Sequence, residues 1–310
     1  MATEASSSLV RLHYLERSDR VQTYAELRAK VEHVKAAIEQ KGFNCRPNSA
    51  LGSLFRKAQV LDEQWQAQSD AQDILTLMQA DDAVRIAQAV EAVLDDPQAA
   101  EPIRRITKSD MHLTTRQPSQ GKDALWEIDL LAFLCRHGVP ARLREPPDLV
   151  ITLPGLLGDY GFACKKVYGE DSVASQLRKG CKQLCAMRGP GVVAFNLDDL
   201  TPERALLVQP TRQAANDRLH ALNIAFMQRH QQDFQGMVLA GKCDGVLLST
   251  TAQADVEGMS PRFNRVTEVT MWTVDSAPPG AHIRIAALRR LIEAAPSAQR
   301  STSPLLKLGT

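Results

Sequence analysis

The chain has 310 residues, with 37 Lys and Arg against 36 Asp and Glu, for a net charge of +1. So even a balance gives no overall pull toward nucleic acid, and any basic binding surface has to be local. With 44% hydrophobic and 24% charged residues the composition is that of a folded protein and excludes a disordered chain. No apolar run reaches the roughly 18 residues that a membrane span needs, so no contact with a membrane is expected. Residues 1–8 lack the basic and apolar regions of a secretion signal, and a cytoplasmic location is expected. There the six cysteines, Cys45, Cys135, Cys164, Cys181, Cys185 and Cys243, should be reduced. Cys181 and Cys185 share a predicted helix face, but no second pair with zinc spacing accompanies them.

The first 110 residues read as helical with hardly any strand signal. Thr23-Tyr24-Ala25-Glu26 has the form of a capping box, Leu27, Val31, Val34 and Ile38 follow at helical spacing, and Gly42 is a stop. A short helix is predicted over 49–57 and further helices over 69–79 and 81–94. In the last of these Ala83, Ile86, Ala87, Val90, Val93 and Leu94 share one face, and Asp95-Asp96-Pro97 ends it. Residues 102–108 read as a short basic helix or linker. These observations outline a helical domain over 1–115 whose role is open, including that of a surface for a protein partner. The polar stretch 111–119, with Pro118, reads as the link to a second domain over 116–296, and 297–310 as a loose tail.

The second part opens with a helix over 121–137, its stripe made by Leu125, Ile128, Leu131, Ala132, Leu134 and Cys135. Glu127 lies near its first turn. Glu145-Pro146-Pro147-Asp148-Leu149-Val150-Ile151 then reads as a strand, and Gly155 and Gly158 punctuate a turn. Gly161-Phe162-Ala163-Cys164 reads as a second strand, running straight into Lys165-Lys166. A lysine placed in a sheet is costly unless a neighbour needs its charge, which makes Asp148 and Lys165 a candidate pair in one site. A helix over 172–187 carries Lys179, Lys182 and Gln183. With Arg178 and Arg188 its exposed side is basic, either a solvated face or a phosphate contact. A buried strand over 191–197, a helix over 213–234, a strand over 245–249, an outer strand over 264–274 and a last helix over 281–295 complete the pattern. Gly189-Pro190-Gly191 lacks the spacing of a phosphate-binding loop, and no nucleophile elbow occurs.

The order α-β-β-α-β carries Glu127 on the first helix and Asp148 after Pro147. Lys165 ends the second strand, and Gln183 lies on the next helix. Over roughly residues 121 to 200 this resembles the core of the PD-(D/E)XK, or restriction-endonuclease-like, nuclease superfamily. The resemblance implies an α+β protein in which an N-terminal helical domain precedes a mixed sheet flanked by helices. It implies a metal-dependent endonuclease that cleaves phosphodiester bonds of DNA or RNA. Glu127 and Asp148 would hold Mg²⁺ or Mn²⁺, Lys165 would act as the catalytic lysine, and Gln183 would stand where relatives often have a glutamine. The chain departs from the motif at Ala163, where the superfamily has an acid. Glu145, Asp159 or Glu170 could replace that acid, a backbone carbonyl and waters could suffice, or the domain binds nucleic acid or a protein without cleaving.

Overall fold

The computed structural model describes residues 7–12, 23–67, 73–259 and 263–294. The tail expected over 297–310 lies outside the described residues. Helix α1 (Tyr24–Gln40) begins with the capping box: the Thr23 hydroxyl accepts from the Glu26 N–H and the Glu26 carboxylate from the Thr23 N–H, each at 3.1 Å. It stops before Gly42, at φ +84°. Helix α2 (Ala50–Gln66) runs well past the end expected at 57, because Ala58 and Leu61 prolong its buried stripe of Leu51, Leu54 and Phe55. Helix α3 (Ile74–Glu91) is continuous where two helices were expected. Its polar Asp81-Asp82 does not break it, since the Gln253 amide donates to both carboxylates, at 3.2 and 3.1 Å. Helix α4 (Ala100–Lys108) and helix α5 (Gln120–Arg136) follow.

The remaining elements build one mixed sheet and its covers. In chain order they are β2 (Ala141–Arg144), β3 (Asp148–Leu153), β4 (Gly158–Lys166), α6 (Val173–Met187), β5 (Gly191–Asn196), β6 (Leu207–Gln209), α7 (Arg212–Leu239), β7 (Gly245–Val256), β8 (Phe263–Val274) and α8 (Pro279–Glu293). With β1 (Ser7–Leu12) the order across the sheet is β1-β8-β7-β5-β4-β3-β2, and β6 pairs with β7. Strands β4, β5 and β7 are mutually parallel, and β3 is antiparallel to β4. The segments expected to share a sheet around 149–152, 162–165 and 192–195 do so. Three strands were not expected: β1, within a stretch read as helical or mixed, and the short β2 and β6. The strand expected to be an outer one, β8, lies inside the sheet between β1 and β7. Its Val269, Met271, Trp272 and Val274 are accordingly buried.

Both faces of the sheet are covered, which is why its central strands read as unbroken apolar runs. Cys164, Val192, Ala194 and Leu247 face the layer of α5, and this core continues without interruption into α1–α4. Ala163, Val193, Phe195 and Leu248 face α6 and α7, where Phe195 meets Phe234 at a ring separation of 5.7 Å. Closeness at the start of β5 depends on glycine. A Cβ on Gly191 would stand 2.2 Å from the Gly161 carbonyl oxygen, whereas one on Gly236, within α7, would meet nothing. Gly191→Ala should therefore destabilise the protein by at least about 1–3 kcal/mol through forced backbone movement. Gly236→Ala should stabilise it by about 0.5–1 kcal/mol by helix propensity. Urea midpoints of the two variants moving in the same direction would contradict this packing.

Candidate functional site

Strand register sets the centre of the site. Leu149 pairs with Phe162, and one step further along the antiparallel ladder Asp148 stands beside Ala163. The Asp148 side chain is buried, and both of its oxygens accept hydrogen bonds. Its Oδ2 accepts from the Cys164 backbone N–H at 2.6 Å and lies 3.5 Å from Lys165 Nζ. Its Oδ1 accepts from Gln183 Nε2 at 3.0 Å. Gln183 Nε2 also donates to the Pro147 carbonyl at 2.8 Å, and Gln183 Oε1 accepts from Lys165 Nζ. Lys165 Nζ donates further to the Cys164 carbonyl at 2.7 Å. Three acceptors thus surround the three ammonium protons. Side chains from β3, β4 and α6 form one closed cluster.

Glu127, on α5, lies near enough for its charge to act on Asp148. Both its oxygens are taken by the guanidinium of Arg105 on α4, at 3.0 and 2.6 Å, a bidentate fork. Burial raises the pKa of Glu127 above the usual carboxylate value; Arg105 opposes this, Glu145 adds to it and Lys165 lowers it. Burial likewise raises Asp148, with Lys165 opposing and the charges of Glu127 and Glu145 reinforcing. Glu127, Glu145, Asp148 and Lys165 therefore share one electrostatic field. The Cys164 thiol between them is pushed well above its ordinary value by burial and by these acids.

Of the three acids that could replace the one absent at Ala163, only Glu145 lies within this field. Asp159 belongs to the far end of the β3–β4 hairpin, opposite Thr152, where it accepts from Arg142 and Arg144. Glu170 is held by Arg229 in a two-bond fork and lies 3.3 Å from His230. Arg105 was not legible as a site residue. It lies 22 positions before its partner on a short amphipathic helix, and nothing local marks the pairing. Arg178, Lys179 and Lys182 on α6 and Arg188 just after it are exposed, with no ion pair among the described residues.

Buried Asp148 and partly buried Glu127 offer hard oxygen donors of the kind Mg²⁺ takes, and one or two suffice when waters complete the shell. Asp148 Oδ1 accepts one hydrogen bond and keeps a second lone pair for a cation. Among the described residues no group of three or more His, Cys, Asp or Glu is arranged around a common metal position. Comparison with protein-family models, with curated proteins and with solved structures gave no match to this chain.

The raised acids have a consequence for stability. The native state binds protons more tightly at Asp148 than the unfolded chain, whose carboxylates titrate near pH ~4. Above that pH the unfolded state is the one that has lost its proton, so stability falls as pH rises toward the native value. Asp148→Asn should show a shallower loss of stability between pH 5 and pH 8, taken as about one unit above and four units above the unfolded value. Equal slopes in urea melts of wild type and variant would show that Asp148 is not held this way.

Proposed function

We propose that the protein is a metal-dependent nuclease that cleaves phosphodiester bonds of DNA or RNA at the Asp148 cluster. The observation that carries this reading is the convergence of Asp148, Lys165 and Gln183 from three separate elements into one hydrogen-bonded cluster. Glu127 lies within its field. Asp148 and Glu127 would hold a divalent cation such as Mg²⁺ or Mn²⁺. A bound cation would stabilise charge on the attacked phosphate and lower the pKa of a water. Lys165, already fixed by three acceptors, would orient that water or neutralise the phosphate charge, and Gln183 holds Lys165 in place. The unpaired basic side chains on α6 would meet the phosphate backbone locally, which resolves the neutral overall charge.

A second reading is that the domain binds nucleic acid, or a protein partner through its amino-terminal helices, without cleaving. Two observations favour it: an alanine stands beside Asp148 where a third acid would complete the ligands, and Arg105 occupies both oxygens of Glu127.

Lys165→Ala should lower cleavage at least about 100-fold, the scale for losing a positioned charge or proton donor. Asp148→Ala should abolish cleavage and Mn²⁺ binding together. Absence of both cleavage and Mn²⁺ binding in the wild type, tested on single- and double-stranded DNA and RNA, selects the binding-only reading. Cleavage that persists in both variants removes this site altogether.

Arg105 separates the readings further. Where a cation has to share Glu127 with Arg105, Arg105→Gln should tighten Mn²⁺ binding by at least about threefold, or 0.7 kcal/mol. Calorimetry showing weaker binding in that variant would assign Arg105 to supporting the cation site instead of competing with it.

A further inference from the structure

Lys165 and Lys166 are neighbours on β4, so they project to opposite faces of the sheet. Only Lys165 joins the Asp148 cluster. Lys166 meets Asp199 at 2.5 Å and Asn196 Oδ1 at 2.6 Å, and it lines a cavity of about 300 Å³. This cavity lies beyond the carboxyl ends of the parallel strands β4 and β5, between α3, α5, the segment 198–207 and α7. That end of a parallel sheet is where open α/β folds receive ligands, and the volume is at the lower end of the range for small-molecule pockets.

The lining has two characters. Leu125 and Trp126 on α5 and Leu219 and Leu222 on α7 give an apolar part. Elsewhere the lining includes seven basic side chains against four acidic ones. Each acid has at least one polar partner, while Asp82 Oδ2 and Asp199 Oδ1 accept no hydrogen bond among the described residues. Asp198 is bound by Arg85 at 2.9 Å and by the Thr251 N–H at 2.7 Å, and Asp199 by Lys166. Asp81 lies 3.7 Å from Arg265. Asp82 is pushed up to about 8, by burial first and then by the charge of Asp81, so it contributes little negative charge at neutral pH.

Arg85, Arg116, Lys166 and Arg265 share these acids, but the other three basic side chains are not balanced in this way. Lys122 is buried, and its ammonium donates to the carbonyls of Thr115 and Gln117 at 2.9 and 3.1 Å and to the Thr115 hydroxyl, with no carboxylate in contact. Arg204 and Arg218 line the cavity, are exposed, and have no partner among the described residues. Inside, Asn196 is 1% exposed, and its amide Nδ2 donates to nothing among the described residues. An apolar wall, surplus positive charge and a spare buried donor together call for a ligand with an apolar body, an anionic group and an acceptor.

We propose that this cavity binds a small organic anion of about mononucleotide size. Its flat apolar body packs between Leu125 and Trp126 on one side and Leu219 and Leu222 on the other. Its phosphate or carboxylate lies toward Arg204 and Arg218. The site is separate from the Asp148 cluster and needs no divalent cation, so it stands or falls independently of the nuclease reading.

The test is calorimetry and thermal melting of the full chain in EDTA with AMP, with 4-phenylbutyrate and with inorganic phosphate as probes. At least one organic anion should bind with a Kd of about 1 mM or tighter and raise the melting temperature, while inorganic phosphate, lacking the apolar body, binds at least tenfold more weakly. AMP alone binding identifies a phosphate ligand, 4-phenylbutyrate alone a carboxylate, and both the shared anion chemistry. The double variant Arg204→Ala/Arg218→Ala, at exposed positions, should weaken binding at least tenfold with an unchanged circular dichroism spectrum. Leu222→Trp should block the apolar part and abolish binding, and Lys165→Ala should bind like the wild type. No binding of either organic probe overturns the proposal. So does binding that survives the double variant or Leu222→Trp, or that is lost in Lys165→Ala.

Discussion

A buried carboxylate at the first residue of β3 organises this end of the molecule. Asp148 has to be satisfied, because a buried polar group left without hydrogen bonds is costly whether or not it carries a proton. Its partners come from the β4 backbone, from the end of β4 and from α6. The requirement therefore fixes the strand register at its open end and fixes where α6 docks. Lys165 and Gln183 are satisfied in the same cluster, so each member depends on the others. Networks of this kind lose more than one bond's worth when a single member is removed.

The amino-terminal helices belong to the same argument. Each of two acids on α5 is held by an arginine from a different helix before it. Arg105 on α4 takes Glu127 at 2.6 Å, and Arg85 on α3 takes Asp129 at 2.7 Å. The two acids are two residues apart, so they face different directions on the helix. Through them α5 is anchored beside the Asp148 cluster and beside the cavity on the other face of β4. The apolar core is likewise continuous from α1–α3 through α5 to the sheet. A helical layer that supplies arginines to the acids of the sheet's covering helix is part of the site's electrostatics as well as its support.

Alternation along β4 divides the chemistry. Lys165 and Lys166 look like a single basic doublet in the chain, yet the pleat sends one to the closed carboxylate cluster and the other to a cavity with surplus positive charge. The first puts both signs of charge in hydrogen-bond contact. The second is lined by part apolar and part charged side chains.

Local physics was enough to place much of this in advance. The Thr23–Glu26 capping box, the glycine stop at Gly42 and the stripe of α5 are short-range signals, and the elements they mark are where they were expected. So was the pairing of Asp148 with Lys165, because a lysine within a sheet needs a charged neighbour, whereas Gln183 was expected only from the resemblance and the structure brings it to both. What the sequence could not determine lies at long range. The continuity of α3 across Asp81-Asp82 depends on Gln253, which lies 171 residues beyond Asp82. The interior position of β8 depends on pairing with β1 from the opposite end of the chain. Arg105 became part of the site only when α4 packed on α5, and which spare acid stands near Asp148 was decided by the hairpin, which carries Asp159 to its far end. Periodicity and capping report on neighbours within a few residues; the partner of a buried charge is chosen by tertiary packing alone.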